Sequence, residues 1–212
     1  MKRLSLILAY IGLAVISPSY AEATEPSSPT PMAKWYQIEM IIFSQITKET
    51  LGSEQWPLLS GALKIPANAQ IPSLLPHSQF HLQDAENALR QNSQYQVLMH
   101  IAWNQPFTVR GKKIPLRIQS VNDSGDSVQI NGLLTIALTH YIDMHFNFMI
   151  AEPKEYLEKI NSDMEWPSTE NSFFYFHMMQ TRRTKSGELN YIDFPLFGVL
   201  IEAFPLDQKT ED

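Results

Sequence analysis

The sequence predicts an α+β fold, a mostly antiparallel β-sheet with one main helix packed on a face, in a single domain. Three observations support this class. Several segments alternate apolar and polar residues with the period of two that strands require. One segment, from His81 to Asn92, instead repeats apolar residues at spacings of three and four. Turn-forming residues separate consecutive strand segments, which favours hairpins and antiparallel pairing.

The first part of the chain predicts a strand, a loop and the helix. Trp35 to Ile46 alternates and then becomes uniformly apolar, which is typical of a half-buried to central strand. Leu51 to Pro76 is rich in proline and leucine and predicts an irregular packed loop, with Trp56 in contact with the core. The helix over His81 to Asn92 carries acidic residues near its start, where they complement the helix dipole.

The next strand is predicted from Tyr95 to Trp103, and Pro106 is expected to end it. One face of this strand carries a set of apolar residues: Tyr95, Val97, Met99, Ile101 and Trp103.

Two further strands flank the turn-forming run 122–126. We expect Ile114 to Val121 and Val128 to Thr139 to pair antiparallel across this turn. His140 to Ile150 keeps the same alternation, and we interpret it as a continuation of the preceding strand, bent or bulged near His140.

The last part of the chain predicts a short helix over Pro153 to Asn161, a polar connection, and a strand over Phe173 to Thr181. A hairpin should then reverse at Ser186-Gly187, with Glu188 opposite Arg182 or Arg183. An apolar strand follows, and the residues that interrupt the pattern before it hint at function: Tyr191, Asp193 and Pro195.

The first residues predict export. A positive pair precedes an apolar run, Leu4 to Ile16, and a small-x-small site follows at Ser19-Tyr20-Ala21. An uncleaved anchor is less favoured, because the run is shorter than the ~20 residues of a membrane span. The chain therefore divides into a signal peptide 1–21, a disordered leader 22–33, an α+β domain 34–207 and a flexible tail 208–212.

Composition narrows the function classes. The chain has no cysteine, so it has no disulfide, thiol nucleophile, cysteine-based zinc site or lipidated cysteine. It carries 16 Lys and Arg against 22 Asp and Glu, a formal net charge of -6, which is the wrong sign for general binding of nucleic acid or anionic membranes. We expect a periplasmic protein that does not span the membrane after signal cleavage.

Enzyme motifs are absent from the sequence: there is no G-x-S-x-G, S-x-x-K, H-E-x-x-H or glycine-rich phosphate loop. The acids associated with strands are Glu39, Asp143, Glu188 and Asp193, and such residues are more often salt-bridge or turn residues than catalysts. We predict no catalytic residues and no enzymatic activity.

The histidines predict no metal site and no cofactor. His140 and His145 are five apart on one extended segment, so their side chains should point to opposite faces. His100 and His177 fall in apolar strands, where a histidine held by a backbone or carboxylate partner is more common than a metal ligand.

Aromatic residues beside planar polar groups make the better case for a ligand. Trp103 and Gln105 close a strand with an indole and an amide, which suit a sugar face and its hydroxyl groups. A core tryptophan with an amide capping the strand end is the favoured alternative. Arg182 and Arg183 could bind carboxylates of a peptide stem, although such a cluster is usually solvated.

Three blocks resemble the CsiV family of periplasmic peptidoglycan-binding proteins. Residues 35–43, WYQIEMIIF, are similar to its W-Y-x-V-E-x-I-x-F strand, and residues 95–106, YQVLMHIAWNQP, to its Y-x-V-L-x-H-x-x-W-x-Q-P segment. Residues 182–199, RRTKSGELNYIDFPLFGV, are similar to its closing R-R-x-x-S-G-E-L-x-Y-x-D-x-P-L-x-G-V. The family pattern differs at Asn104, Asn190, Phe194 and His140 to Asp143, so roles of those side chains do not carry over.

The resemblance implies a non-enzymatic protein that binds peptidoglycan and supports a class A penicillin-binding synthase through that synthase's outer-membrane lipoprotein activator. The expected ligand-binding residues are Trp103, Gln105, Arg182, Arg183, Tyr191 and Asp193. If the protein contacts peptidoglycan there, these side chains should lie near one another. The alternatives are a protein-interaction or envelope-assembly module without glycan binding and, less favoured, a wall hydrolase using Glu39 or Glu188.

Overall fold

The computed structural model describes residues 33–59, 63–120, 128–166 and 171–207. The predicted signal peptide, the leader up to residue 32, the turn at 122–126 and the tail 208–212 lie outside these ranges. The elements in chain order are β1 Lys34–Ser44, α1 Lys48–Gly52, a 3-10 turn His77–Gln79, α2 Gln83–Gln91, β2 Gln96–Phe107, β3 Ile114–Gln119, β4 Gln129–Leu138, β5 Ile142–Pro153, α3 Lys154–Ile160, β6 Phe173–Thr184, β7 Asn190–Phe194 and β8 Phe197–Leu206.

The strands form two antiparallel sheets. The first sheet has the order β2-β1-β8-β7 and the second has the order β3-β4-β5-β6. The α+β class and the mostly antiparallel pairing are confirmed. The predicted helix is also confirmed as α2, and the short helix as α3.

The two sheets pack face to face around one core, to which each strand contributes alternate residues. Its largest fully buried side chains include Trp103, Phe146, Phe148, Phe197, Ile38 and Met40. Trp56 joins this core from the proline-rich loop, as predicted: its ring packs edge-on against Phe176 with 5.3 Å between centroids. Each sheet is left with one outer face, and the two outer faces differ.

Helix α2 covers the outer face of the first sheet. Leu82 and Leu89 pack there against Ile41 and Phe43 of β1 in a second, smaller apolar cluster. This is the helix-on-a-face arrangement that the sequence predicts. On the second sheet, by contrast, outward-facing side chains such as Arg117 and His145 are exposed.

The segment predicted as one bent strand is instead a hairpin. β4 ends at Leu138, β5 begins at Ile142, and the two strands pair antiparallel. Thr139 closes the turn, because its N–H donates to the Tyr141 carbonyl at 2.8 Å and its hydroxyl accepts from the Tyr141 N–H at 3.2 Å. The turn residues Thr139, His140 and Tyr141 include no glycine, proline, asparagine, aspartate or serine, which are the residues that usually mark a turn, and none of the three has a positive φ.

The predicted hairpin at Ser186-Gly187 is a crossover between the sheets. β6 belongs to the second sheet and β7 to the first, and Gly187 reverses the chain with φ +73. Glu188 does not pair with either arginine; it accepts from the Thr184 hydroxyl and the Lys185 N–H, both at 3.2 Å. The true hairpin lies at Pro195-Leu196, between β7 and β8.

β2 differs from its prediction in length and in facing. It continues through Pro106, which is tolerated because β2 is an edge strand. A register shift leaves Met99 opposite Ile42 but Val97 opposite Phe43. This bulge turns the start of the strand toward α2 while the rest faces the core, so the apolar residues do not share one face.

Candidate functional site

Trp103 and Gln105, the aromatic and amide pair expected to meet a sugar, are buried. Trp103 is 1% exposed and Gln105 is 4% exposed. The indole N–H of Trp103 donates to the Gln105 Oε1 at 3.3 Å, and the Gln105 amide donates to the Pro106 carbonyl at 3.2 Å. The pair therefore occupies the core in this structure, where no sugar can reach the indole.

Tyr191 and Asp193 lie together on the outer face of the first sheet. The Tyr191 hydroxyl donates to the Asp193 Oδ1 at 2.6 Å, and its ring stacks on Phe43 with 6.1 Å between centroids. Burial and the neighbouring Asp193 raise the pKa of Tyr191 to about 12. The side chain thus stays neutral, and at 44% exposure it still presents ring surface to solvent.

Arg182 and Arg183 are adjacent on β6, so their side chains leave opposite faces of the strand. The Arg182 Nε donates to the Asn190 Oδ1 at 3.1 Å, on the side of the first sheet. The Arg183 Nε donates to the Asp143 Oδ1 at 2.5 Å, and its guanidinium lies 5.8 Å from the centre of the Tyr141 ring. The six expected site residues therefore do not form one site: Trp103 bonds to Gln105 in the core, Tyr191 bonds to Asp193 on the first sheet, and the two arginines lie apart from both pairs.

Asp143, the partner of Arg183, lines a shallow cavity on the outer face of the second sheet. The cavity has a volume of about 430 Å³, and its wall includes Lys113, Leu133, Thr135, Asp143, His145 and Thr181. An aliphatic floor surrounded by hydroxyl, imidazole, ammonium and carboxylate groups combines apolar surface with several hydrogen-bonding groups. This mixture can bind a polar ligand with apolar ring faces.

A different cluster of polar groups lies under α2, on the outer face of the first sheet. Both ring nitrogens of His100 bond to carboxylates, Nε2 to Glu39 and Nδ1 to Glu86, each at 2.8 Å. The backbone N–H groups of His81 and Leu82 also donate to Glu39, both at 2.7 Å. Two ionised carboxylates can only accept, so the geometry fits a doubly protonated His100 that joins β1, β2 and α2.

The electrostatics of this cluster agree with that geometry. Burial lowers the pKa of His100, but the bonds to Glu39 and Glu86 outweigh it and raise the pKa above the usual value. Burial raises the pKa of Glu86, yet His100, Arg90 and His77 together bring it down to about 2. The prediction that His100 is a partnered structural histidine is confirmed, and His177 is likewise held, by the Asn147 Oδ1 at 2.6 Å.

One group of described residues could hold a metal ion: His77, Glu86 and His100, whose candidate ligand atoms lie within 4.8 Å of one another. His77 is exposed and its Nε2 lies 3.2 Å from the Glu86 Oε2. His100 could serve only as a neutral ring, which would break one of its two carboxylate bonds. The arrangement therefore favours the ionic network, and that no metal binds here remains our prediction.

The acids that a hydrolase would use are not placed for catalysis. Glu39 has no exposed surface and is held by the donors described above. Glu188 is exposed and caps the crossover turn.

In the described residues, no helix is long and apolar enough to cross a bilayer.

Comparison with known families adds to this geometry. A family model described as peptidoglycan-binding protein, CsiV, matches residues 59–206, a range that holds β2 through β8 with α2 and α3. A search of curated proteins finds no significant match. Because the matched range covers more than half of the sequence, the chain belongs to the CsiV family of peptidoglycan-binding proteins.

Proposed function

We propose that this protein is a non-enzymatic, periplasmic peptidoglycan-binding protein that uses the outer face of its second sheet. The observation that carries the proposal is the family match over residues 59–206. This face is supported by its exposed outward side chains, such as Arg117 and His145, and by a cavity of about 430 Å³ with apolar and hydrogen-bonding groups side by side. The first sheet's outer face, in contrast, is largely occupied by α2.

The proposal assigns the ligand two cations of this surface: Lys113 lines the cavity, and Arg183 bonds to Asp143 of its wall. A guanidinium beside Asp143 and over the Tyr141 ring is held in place, and it can still donate its remaining N–H groups to a carboxylate of a peptide stem. Leu133 and Tyr141 offer apolar surface for a sugar ring. In this proposal Trp103 and Gln105 support the sheet from the core, and Arg183 is the predicted site residue that meets the ligand.

Co-sedimentation with purified sacculi at low salt tests the proposal. We expect the wild-type mature protein to pellet, and Arg183→Ala or Lys113→Ala to weaken binding about tenfold, because a charge-assisted hydrogen bond contributes roughly 1.5 kcal/mol. Lys112→Ala is the matched control, since Lys112 is the adjacent exposed lysine and does not line this cavity. A wild-type protein that stays entirely in the supernatant would refute the proposal.

Within the cell, the same proposal extends to support of a class A penicillin-binding synthase through its outer-membrane lipoprotein activator. Deleting the gene in strains that depend on one or the other class A synthase should impair growth and cell shape with only one of them. Equal effects in both strains would leave wall binding in place and remove the link to one synthase.

A protein-interaction module is the second candidate, and one observation favours it. β7 is an edge strand of the first sheet. It follows Leu189, which is 49% exposed, and includes Tyr191, which is 44% exposed. Exposed apolar side chains at a sheet edge suit strand addition by a protein partner. If Tyr191→Ala abolishes capture of the purified activator while sacculus binding is unchanged, the edge is the protein contact; if Arg183→Ala abolishes both, one surface serves both.

A further inference from the structure

Glu152 is a buried acid near the end of β5 for which the described structure offers no partner. The inward positions of this strand run Phe146, Phe148, Ile150 and then Glu152, so alternation places a carboxyl where an apolar side chain is expected. Glu152 has no exposed surface, and neither of its oxygens has a hydrogen-bond partner among the described residues. Such a group calls for an explanation, because buried polar atoms are nearly always paired.

Glu152 is one of the residues around a second cavity, separate from the one lined by Asp143. This cavity has a volume of about 750 Å³ and lies between α3, the end of β5 and the start of β6. Tyr156 and Phe173 bring aromatic rings to its wall, and Tyr156 is 37% exposed. Glu152 itself has no exposed surface, so its carboxyl lies just behind this wall, and a ligand in the cavity would meet the carboxyl after a rotation of the Glu152 side chain.

Among the described residues that line this cavity, the charged groups besides Glu152 come from α3. Its acids and bases in the cavity wall are Lys154, Glu155, Glu158 and Lys159, and Lys154 is 3.6 Å from Glu158. β2 and β6 contribute Gln96, Ser172 and Phe173, which do not titrate. The phenol of Tyr156 completes the set, and burial together with the charge of Glu152 raises its pKa.

We propose that this cavity binds a primary ammonium group, with the Glu152 carboxylate as its acceptor. An ammonium supplies the donors that both carboxylate oxygens lack, and the aromatic rings of the wall favour a cation. The inference rests on the proposed function, because an uncross-linked peptide stem of peptidoglycan carries a free amine on its diamino acid. The cavity would then select stems that are still open to cross-linking.

Binding of an ammonium should depend on pH in a defined way. Burial raises the pKa of Glu152 to about 8, so the empty cavity holds a neutral acid at pH 6 and must lose a proton to bind the cation. Affinity should rise about tenfold per pH unit up to about 8, and it should fall again where the ligand amine deprotonates, near pH 10.

Calorimetric titration with soluble muropeptides tests the inference. At pH 8 we expect the wild-type protein to bind a muropeptide with a free side-chain amine at least tenfold more tightly than the same muropeptide with that amine acetylated. Glu152→Gln should bind the two equally. Glu155→Gln is the matched control, because it removes the same charge from an exposed position of the same wall, and it should keep the preference.

Glu152→Gln should fold, since it replaces a buried acid with a neutral side chain of the same shape, and circular dichroism checks this. The inference is overturned if wild type binds the two muropeptides equally, or if Glu152→Gln keeps the preference for the free amine. A protein that pellets with sacculi but shows no amine preference retains the proposed function and loses this inference. A protein that neither pellets nor binds either muropeptide loses both.

Discussion

Glu39 and Glu152 are equally buried, with no exposed surface, and they lie in different surroundings of the same fold. Burial acts on both to raise the pKa. At Glu39 the bonds from His100 and from two backbone N–H groups outweigh burial, and the pKa is lowered. At Glu152 burial acts alone, and the pKa rises to about 8. The protonation state of a buried acid in this protein is thus decided by its donors and not by its depth.

The two environments also differ in their role. Glu39 joins β1 to β2 through His100 and to the start of α2 through backbone donors. Its charge therefore holds α2 on the first sheet. Glu152 joins nothing within the described residues and faces a cavity. A buried acid with partners is evidence of architecture, whereas a buried acid without partners points to a missing ligand.

The largest expected effect is on stability when Glu39 loses its charge. Glu39→Gln should lower the free energy of unfolding by about 3 to 5 kcal/mol, because the amide has one acceptor oxygen where the carboxylate has two, and its own N–H groups would face the buried donors of His100, His81 and Leu82. Urea unfolding at pH 7 measures it. Glu202→Gln is the control: Glu202 faces Glu39 across β1 and β8, and its pKa is raised by burial and by the charge of Glu39.

Loss of the Glu202 charge should leave stability unchanged or slightly higher, since it relieves repulsion between like charges on opposite strands. Equal losses in the two variants would mean that burial and not partnership sets the energetics, and the comparison between Glu39 and Glu152 would fail.

At Glu152, loss of the carboxylate charge should raise the free energy of unfolding and not lower it. In the unfolded chain this acid ionises from about pH 4.5, and in the folded protein only from about pH 8, so it lowers stability progressively as pH rises between these values. Glu152→Gln should therefore match the wild type near pH 4 and exceed it at pH 9 by on the order of 3 kcal/mol. Thermal or urea unfolding across this range gives the difference.

His100 also makes the folded protein less stable as the pH rises. Its raised pKa means that its stabilising charge is complete at low pH and is lost as pH rises through that pKa. Because both proteins contain His100, the difference between Glu152→Gln and the wild type isolates Glu152. A difference that does not change from pH 4 to pH 9 would show that Glu152 has a partner in solution.

Sequence reasoning predicts most strands, α2 and α3 because alternation and the spacing of apolar residues by three and four are local signals. It misses the hairpin at Thr139, whose turn uses no glycine or proline, and it takes the crossover at Gly187 for a hairpin, because a turn residue does not say which sheet the next strand joins. Both errors concern long-range pairing, which local patterns do not specify.

The candidate site was harder to predict for a related reason. Trp103 has the composition of a sugar platform, but its facing is set by the pairing of β2 with β1, which buries it. Glu152 gave a signal that could have been recognised, an acid at the sixth inward position of a strand whose other inward residues are apolar. The tertiary partners of Glu39 come from α2 and β2, and no spacing in the sequence connects them.

The smallest expected effect on stability is at Arg90, the solvent-exposed member of the network around His100. Arg90 donates through Nε and Nη2 to the Glu86 Oε1 at 2.9 and 2.7 Å, and its side chain is 57% exposed. Arg90→Met should lower the free energy of unfolding by about 1 kcal/mol or less, because water screens the exposed guanidinium and His100 still holds Glu86.

Lys154→Met, in another i,i+4 pair, is the control. It should lower the free energy of unfolding even less, since Lys154 lies 3.6 Å from Glu158 and shares no buried network. Both losses should shrink in 1 M salt, as measured by urea unfolding, whereas the loss at Glu39 should not. A loss at Arg90 as large as that at Glu39 would mean that the network depends on its exposed cation, and partnership inside the fold would no longer account for the low pKa of Glu39.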